Sequence, residues 1–327
     1  MSEGSFHNAI LGIDVSKEKF DVALLRGSKY KHKKFTNSKK GFEELTRWLG
    51  KLGVETLHAC MESTGVYGEE LAEYLYDQGF KVSVVNPARI KGFAQSELIR
   101  SKTDKVDASL IARFCAAMKP SPWTPDPEEI RELRSLVRRV EALLNMRQQE
   151  QNRLDVSNKV LRKSIRKLIR YIDKEIEELK GEINKHIDRN PELRDKRKLL
   201  ESIPAVGEAT IHVILSHFAS IEKFPGPKRL ASFLGIAPRH YSSGSSVRGR
   251  TRMSKVGRSS LRKAFYMPAL VGLRFNPVLM NLRERLERAG KPPMLIIGAA
   301  MRKLVHIVYG VLKNKIPFDP NFSLKSA

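Results

Sequence analysis

The sequence is poor in cysteine and has no long uninterrupted apolar run. Its two cysteines, Cys60 and Cys115, stand in apolar patterns without the paired spacing of a zinc site. We expect both to be small buried side chains in a reducing compartment. The first residues, MSEGSFHNAILGIDVS, lack the basic start, apolar core and cleavage site of a secretory signal. The richest apolar stretch, MLIIGAAM, is far shorter than the roughly 20 residues that span a bilayer. These absences predict a soluble, cytoplasmic protein with no membrane partner.

Acidic residues are scarce relative to basic ones. The chain carries 60 Lys and Arg residues against 36 Asp and Glu residues, a formal net charge of +24. A surplus of this size favours nucleic acid as a partner over acidic metabolites or membranes. With 327 residues, 41% of them hydrophobic, the chain has room for two or three domains and at least one sizeable core.

The first 120 residues alternate between strand and helix patterns. Strand-like runs cover 9–16, 21–27, 31–37, 55–62 and 81–87, and helical patterns cover 40–52, 67–79, 88–99 and 104–118. Three hairpin-linked strands followed by strands that alternate with helices predict a mixed α/β sheet with helices on its faces. The proline-rich stretch PSPWTPDP, 120–127, marks a boundary. The predicted first domain is therefore 1–122.

A long helical segment, 123–192, follows. Its apolar residues step by three and four: Ile130, Leu133, Val137, Val140 and Leu144, then Ile165, Leu168, Ile172, Ile176, Leu179 and Ile183. This spacing predicts a helical hairpin or coiled coil. The helices could instead lie on their own domain. Because the other faces are dense in Lys, Arg and Glu, we expect a stalk that joins protomers.

The last segment, 193–327, is mainly helical and strongly basic. LLESIPAVGEATIHVILSHF has the pattern of a helix-hairpin-helix, whose turn can offer backbone N–H groups to a phosphate, although a structural turn would use Pro204 and Gly207 equally well. Between Lys223 and Arg283 there are 13 basic residues and no acidic one. The candidate nucleic-acid contacts are Arg239, Arg248, Arg250, Arg252, Lys255, Arg258, Arg262 and Lys263.

Four carboxylates occupy positions that could converge. Asp14 ends the first strand, Glu62 closes the fourth, and Asp104 and Asp107 lie about 5–6 Å apart on one helix face. If strands one and four are neighbours, the helix after the fifth strand can lay its two aspartates across their ends. Such a group repels itself unless it is neutralised, and a pair of Mg2+ ions about 3.5–4 Å apart would do so. Each acid alone suits a helix cap or a solvated strand end, but together they predict a metal site.

These segments resemble a known family. GIDVSKEKFDVALL, MESTGVYGEELAEYLYDQGFKVSVVNPARIKGFA and SKTDKVDASLIARF resemble the RuvC-like, RNase H-like domain of the DEDD transposases. IPAVGEAT, FLGIAPRHYSSGSSVRGRTRMSKVG and LRKAFYMPAL resemble the second domain of the same proteins. The chain is thus similar, over nearly its whole length, to transposases of the insertion-sequence-one-hundred-and-ten family, the RNA-guided bridge recombinases.

The resemblance also bears on the serines of RHYSSGSSVRGRTRMSKVGRSSLRK. Taken alone, this stretch favours a flexible glycine-serine loop over a solvated basic surface rather than a site where a serine attacks a phosphodiester. The resemblance implies that Ser243 is the catalytic nucleophile, whereas the position of Ser242 is variable in the family. No Ser-His-Asp arrangement is supported, although His240 is close in sequence.

The family picture implies a specific reaction and specific partners. Ser243 and the four acids would form one composite site with Mg2+, and a serine–DNA intermediate would preserve the bond energy. A non-coding bridge RNA would specify donor and target DNA, and protomers would assemble into a dimer or tetramer. Two rivals remain: a RuvC-like Holliday-junction nuclease that uses water as its nucleophile, and a non-enzymatic basic packaging protein whose acids are incidental.

Overall fold

A five-stranded sheet organises the first part of the chain in the computed structural model. The structure describes residues 9–63, 65, 67–98, 103–239, 242–243, 247–248 and 252–321, with only the backbone at 242–243 and 247–248. The chain divides into two compact units, Met1–Pro125 and Asp126–Ala327. The predicted three-part division, with boundaries near 122 and 192, stays a prediction.

The first unit is the mixed α/β sheet that the sequence predicts. Its elements are β1 (Ala9–Val15), β2 (Lys19–Arg26), β3 (Lys29–Thr36), α1 (Lys39–Lys51), β4 (Leu57–Glu62), α2 (Glu69–Asp77), β5 (Lys81–Val85), α3 (Pro87–Ser96) and α4 (Asp104–Met118). The strand order is β3-β2-β1-β4-β5. The first three strands are antiparallel, and β4 and β5 run parallel to β1. This arrangement is consistent with an RNase H-like domain.

Each face of this sheet buries its own apolar cluster. Leu11 and Ile13 of β1 pack with residues of α1 and α2, such as Phe42 and Leu71. On the opposite face, Cys60 of β4 packs with residues of α3 and α4, among them Cys115, and both cysteines are buried and free, as expected. Neighbouring residues of one strand contribute to different clusters, because successive side chains point to opposite faces of the sheet.

The second unit is mainly helical, as predicted. Its elements are α5 (Glu128–Val156), α6 (Lys159–Arg189), α7 (Pro191–Glu201), α8 (Glu208–Phe218), α9 (Pro227–Phe233), β6 (Pro238–Arg239), β7 (Ser242–Ser243), β8 (Val247–Arg248), β9 (Arg252–Met253), α10 (Ser259–Ala264), α11 (Tyr266–Phe275), α12 (Pro277–Arg288) and α13 (Pro293–Asn314). The four short strands form two antiparallel pairs, β6 with β9 and β7 with β8, which the sequence did not predict.

Helices α5 and α6 form a hairpin whose seam lies within one chain. Leu143, Ile172 and Ile176 are buried together between the two helices. Leu144 and Leu168, which share the predicted apolar spacing, are 47% and 42% exposed and lie outside this seam. The predicted spacing therefore describes an intramolecular hairpin first, and a coiled coil between protomers stays a prediction.

The turn between α7 and α8 packs against its own unit. Ile203 and Val206 are buried, and the fully buried Asn276 donates from Nδ2 to the carbonyl oxygen of Pro204 at 3.3 Å. Ala205 has a positive φ of 76°, a conformation that a tight turn requires. These contacts account for a structural turn, and phosphate binding by a helix-hairpin-helix stays a prediction.

The last helix, α13, is the centre of the second core. Among the described residues, it is the one helix long and apolar enough to cross a bilayer, with a mean hydropathy of 1.6 over its most apolar window. Half of that window is buried, and Leu304, Val305 and Val308 are fully enclosed by the rest of the unit. Length and composition alone are weak evidence for a span, and the burial is that of a core helix.

Candidate functional site

Two of the predicted acids leave the sheet at the same end. Ile13 of β1 pairs with Met61 of the parallel strand β4, so that the next residues along each strand are Asp14 and Glu62. Asp14 shares its face of β1 with Gly12, two residues earlier. This is the face that α4 covers. The first two carboxylates therefore lie beside each other beneath the start of that helix.

Gly12 is the reason that α4 can lie so close to β1. A Cβ atom at this position would stand 2.1 Å from the carbonyl oxygen of Ala108 and 2.3 Å from the backbone nitrogen of Ala112. The helix begins at Asp104 because the Thr103 hydroxyl accepts from the backbone N–H of Val106 at 3.3 Å, which is an N-cap. The first turn of α4, with Asp104 and Asp107, is thus fixed near the end of β1.

The charges of the other three predicted acids act on Asp14. The pKa of Asp14 is raised to about 6, first by burial and then by the carboxylates of Asp107, Asp104 and Glu62. A carboxyl in such surroundings resists losing its proton unless a cation is near. The structure therefore brings the four predicted acids into one electrostatic group.

The donor chemistry of this group suits a hard cation. Carboxylate oxygens are the ligands that Mg2+ takes, and the mutual repulsion around Asp14 is what a divalent ion would relieve. In the part of the chain that the structure describes, however, no three His, Cys, Asp or Glu side chains stand close enough together to hold a metal ion. The residues fit the ion in charge and donor type, and their side chains would have to turn toward it.

A fifth acid and two lysines, which the sequence patterns do not single out, lie against the predicted acids. Asp21 of β2 lies directly opposite Asp14 and is only 7% exposed. Lys34 of β3 lies opposite Asp21, with Nζ 3.8 Å from its Oδ1. Lys19 places Nζ 3.0 Å from Oδ2 of Asp104 and lowers the pKa of that carboxyl. The tight β1–β2 hairpin could have revealed Asp21, because its register sets Asp21 against Asp14.

A groove of about 620 Å³ opens beside these acids. Its lining includes the acids Asp21 and Asp104 and the lysines Lys33, Lys34 and Lys105. Lysine side chains are point charges that hold phosphate, while the acids lie within the same groove. The groove can therefore receive a phosphodiester next to carboxylates whose negative charge a cation would offset.

In the second unit, Ser243 lies in a short antiparallel pair of strands. Ser242 is opposite Arg248, and Ser243 is opposite Val247. In the other short pair, Arg239 is opposite Arg252. The backbone positions of Ser243 and Arg248 are described, but their side chains are not. Arg250 and His240 lie outside the described residues.

The described arginines and lysines of 239–263 differ in how far their side chains are exposed. Exposed side chains are found at Arg239, Arg252, Lys255, Arg258 and Lys263. Arg262 is half-buried and donates from Nη1 to the carbonyl oxygens of Leu234 and Lys255, each at 3.3 Å. The guanidinium of Arg258 stands 5.6 Å from the centre of the Phe233 ring. Arg262 therefore holds the backbone after β9 in place, whatever else it contacts.

Family comparisons match both units. Residues 11–162 match the family model of DEDD transposases, whose description is Transposase. Residues 197–284 match the model described as Transposase IS116/IS110/IS902 family. The first match contains Asp14, Glu62, Asp104 and Asp107, and the second contains Ser243.

Similar proteins cover nearly the whole chain. Two proteins named pilin gene-inverting protein, from Moraxella bovis and Moraxella lacunata, are each 35% identical over 312 residues, which is 94% of this chain and 97% of theirs. A Streptomyces coelicolor protein, named Insertion element IS110 uncharacterized 43.6 kDa protein, is 26% identical over 136 residues, 42% of this chain and 32% of its own length.

The mixed sheet, the acids at its end and the two family matches together define a transposase, a class of enzymes that rearrange DNA. The chain belongs to the IS110 family of transposases, which confirms the resemblance found in the sequence.

Proposed function

We propose that the protein is a site-specific DNA recombinase that cuts and rejoins donor and target strands through a serine–DNA intermediate. The observation that carries this proposal is the group formed by Asp14 and the three acids that raise its pKa, Glu62, Asp104 and Asp107. Two relatives of this chain are named for gene inversion. Inversion of a DNA segment and insertion of a mobile element both require strands that are cut and then rejoined. This chain would catalyse reactions of that class.

Asp14, Glu62, Asp104 and Asp107 would hold Mg2+. When bound, the ion polarises a phosphodiester and offsets the charge that develops on its oxygens. Lys19 pairs with Asp104 and would have to release that carboxylate as the ion is bound. Lys33, Lys34 and Lys105 would hold the DNA backbone in the adjoining groove.

Ser243 would supply the attacking oxygen. Its Oγ forms a bond to phosphorus and loses its proton, while the bond from phosphorus to one sugar oxygen breaks and that oxygen gains a proton. One phosphate ester replaces another, so a hydroxyl of a second strand can reverse the exchange without an external energy source. The exposed cations Arg239, Arg252 and Lys255 would hold the scissile phosphate and stabilise its transition-state charge.

The partners follow from this reaction. Donor and target DNA are the substrates, and the family resemblance supports a bridge RNA that specifies both by base pairing. The protein would act in the cytoplasm as a homodimer or tetramer, so that the two catalytic parts come from protomers held on the same DNA. The +24 net charge supports contact with nucleic acid in each of these roles.

Two rivals make different products. A Holliday-junction nuclease with the same acids would release cut ends and would not need Ser243. A packaging protein would bind nucleic acid and cut nothing. Products that are cut and rejoined in Mg2+ therefore separate the proposal from both.

The decisive experiment starts from protein purified from its host, with any co-purified RNA sequenced. The complex is then given a plasmid that carries the host DNA flanking the gene, in Mg2+ or in EDTA. We expect rejoined products in Mg2+ only. Glu62→Gln and Asp104→Asn should abolish cleavage while DNA binding stays nearly intact, because a neutral amide resembles the acid in shape but holds a hard cation poorly.

The matched control is Glu55→Gln, which removes an exposed acid of the same unit outside the electrostatic group. It should cleave and rejoin DNA like the wild type. Full cleavage by both Glu62→Gln and Asp104→Asn would remove the metal site from the account.

A further inference from the structure

The first third of helix α6 carries positive charge that the protein itself does not neutralise. Between residues 159 and 170 there are six basic residues and no acidic one: Lys159, Arg162, Lys163, Arg166, Lys167 and Arg170. Among the described residues, no acidic side chain forms an ion pair with any of the six. The nearest acids on α5 have other partners: Glu150 pairs with Arg153, and Asp155 accepts from Gln151.

The rest of the same helix is built differently. Lys174 pairs with Glu178, Lys180 with Glu177 and Lys185 with Glu182. The helix thus changes from unpaired cations to internally paired charges near Asp173, which itself pairs with Arg147 of α5. Ordinary solvation of a surface helix does not require this segregation, since alternating pairs would serve equally well.

Four of the unpaired cations form one narrow stripe. With 3.6 residues per turn, Lys159, Lys163, Arg166 and Arg170 fall within about 60° of one another around the helix axis. All four are exposed, and together with Arg162 they line a groove of about 440 Å³. The buried seam with α5 lies on another side of the helix, at Ile172 and Ile176, so the stripe is not part of the hairpin's own packing.

We propose that this stripe is a second nucleic-acid site, which binds the phosphate backbone of a duplex along α6. It runs for about 16 Å, the axial length over which one strand of B-DNA carries about five phosphates. Arginine and lysine in one row, with no acid among them, bind backbone without reading bases. The inference rests on the proposed function only in taking nucleic acid as the polyanion. A bridge-RNA helix and a DNA duplex both present the required row of phosphates.

The test measures binding in EDTA, where no strand is cut, so its outcome is independent of the proposed reaction. The variant Lys163→Gln, Arg166→Gln, Arg170→Gln is compared with Lys174→Gln, Lys180→Gln, Lys185→Gln, which removes the same number of charges from the paired part of the helix. Affinity for a mixed-sequence DNA duplex and for an RNA hairpin is measured across a salt series. Circular dichroism checks that both variants keep their helix content.

For the first variant, we expect the slope of log affinity against log salt to become shallower by up to about three, which is about one for each lost phosphate contact. The control variant should keep the wild-type slope. The nucleic acid whose slope changes, DNA or RNA, identifies the source of the phosphates. Wild-type slopes on both, or an equal loss in the control, would overturn the site. So would a variant that loses binding only to vesicles of phosphatidylserine and phosphatidylcholine, since the stripe would then be a membrane surface.

Discussion

Asp14 stands in a row of charged side chains that crosses the sheet at the end of β1. Lys34, Asp21 and Asp14 are successive partners across β3, β2 and β1, and Glu62 follows at the end of β4. Burial and the neighbouring carboxylates raise the pKa of Asp14 to about 6. A carboxyl whose pKa is shifted by both burial and neighbouring charges is typical of functional sites.

At the same scale, Lys19 should compete with a metal ion for Asp104. The two side chains are about half exposed and 3.0 Å apart, and an exposed pair of this kind is worth little. Lys19→Gln should therefore tighten Mn2+ binding to the DNA-free protein by at most about fivefold, measured by titration calorimetry.

Lys17→Gln is the control, because Lys17 is an exposed neighbour that forms no ion pair among the described residues. It should bind Mn2+ like the wild type. If Lys19→Gln binds Mn2+ no better than Lys17→Gln does, Lys19 has no part in the site.

The sequence singles out Asp14, Glu62, Asp104 and Asp107 as candidates because each stands at the start or end of a recognisable element, and their role as metal ligands stays a prediction. It does not single out Asp21 or Lys19, because both lie in a largely apolar strand and their contacts depend on cross-strand register and on the approach of α4. For Ser243 the pattern alone favoured a flexible loop, and only the family resemblance selected this serine.

At the scale of elements, the contact between α4 and β1 determines the geometry of the site. The helix carries two of the four acids in its first turn, and Gly12 allows its backbone to contact the strand. Because the obstructing atoms are backbone atoms of Ala108 and Ala112, no side-chain rotation can make room for a methyl group there.

Gly12→Ala should displace α4 and separate its aspartates from Asp14. Overpacking of this kind costs about 1–3 kcal/mol, so chemical denaturation should show a first unit less stable by that amount. Metal binding should weaken with it. The matched control, Gly92→Ala in α3, adds a methyl group with nothing within 4 Å and should be neutral or stabilising by about 0.5–1 kcal/mol. Equal stability of the two variants would contradict the close contact.

Most elements could be predicted because their patterns are long. The strands of the first unit alternate or run apolar between turn residues, and the observed bounds lie within a few residues of those expected. The strands from Pro238 to Met253 have two residues each among serines, glycines and arginines, so no periodicity reveals them. In α5 and α6, a three-four spacing looks the same whether the partner helix belongs to the same chain or to another. Ile172 is buried within the chain's own hairpin, which only the fold could show.

At the scale of the whole molecule, positive charge is the dominant feature. The 13 basic residues of 223–283 account for more than half of the +24 net charge. A charge of this size attracts polyanions over distances beyond direct contact and releases the counterions of nucleic acid on binding.

Binding of wild-type protein to duplex DNA should therefore weaken steeply with salt. If six of the 13 cations contact phosphate, a plot of log affinity against log salt should have a slope of about −5. Fluorescence anisotropy across a salt series measures it. A slope near zero would mean that this charge serves a purpose other than binding the DNA backbone.

The most direct test of the account is to locate the covalent bond between protein and DNA. A suicide substrate, nicked so that the leaving strand is lost, should trap a denaturant-resistant adduct with the wild-type protein in Mg2+. Mass spectrometry of the digested adduct should then place the nucleotide on Ser243. Ser243→Ala should bind DNA and RNA with near-normal affinity and form no adduct, and Ser242→Ala should form it like the wild type. Attachment to another residue, or recombination by Ser243→Ala, would contradict the central claim.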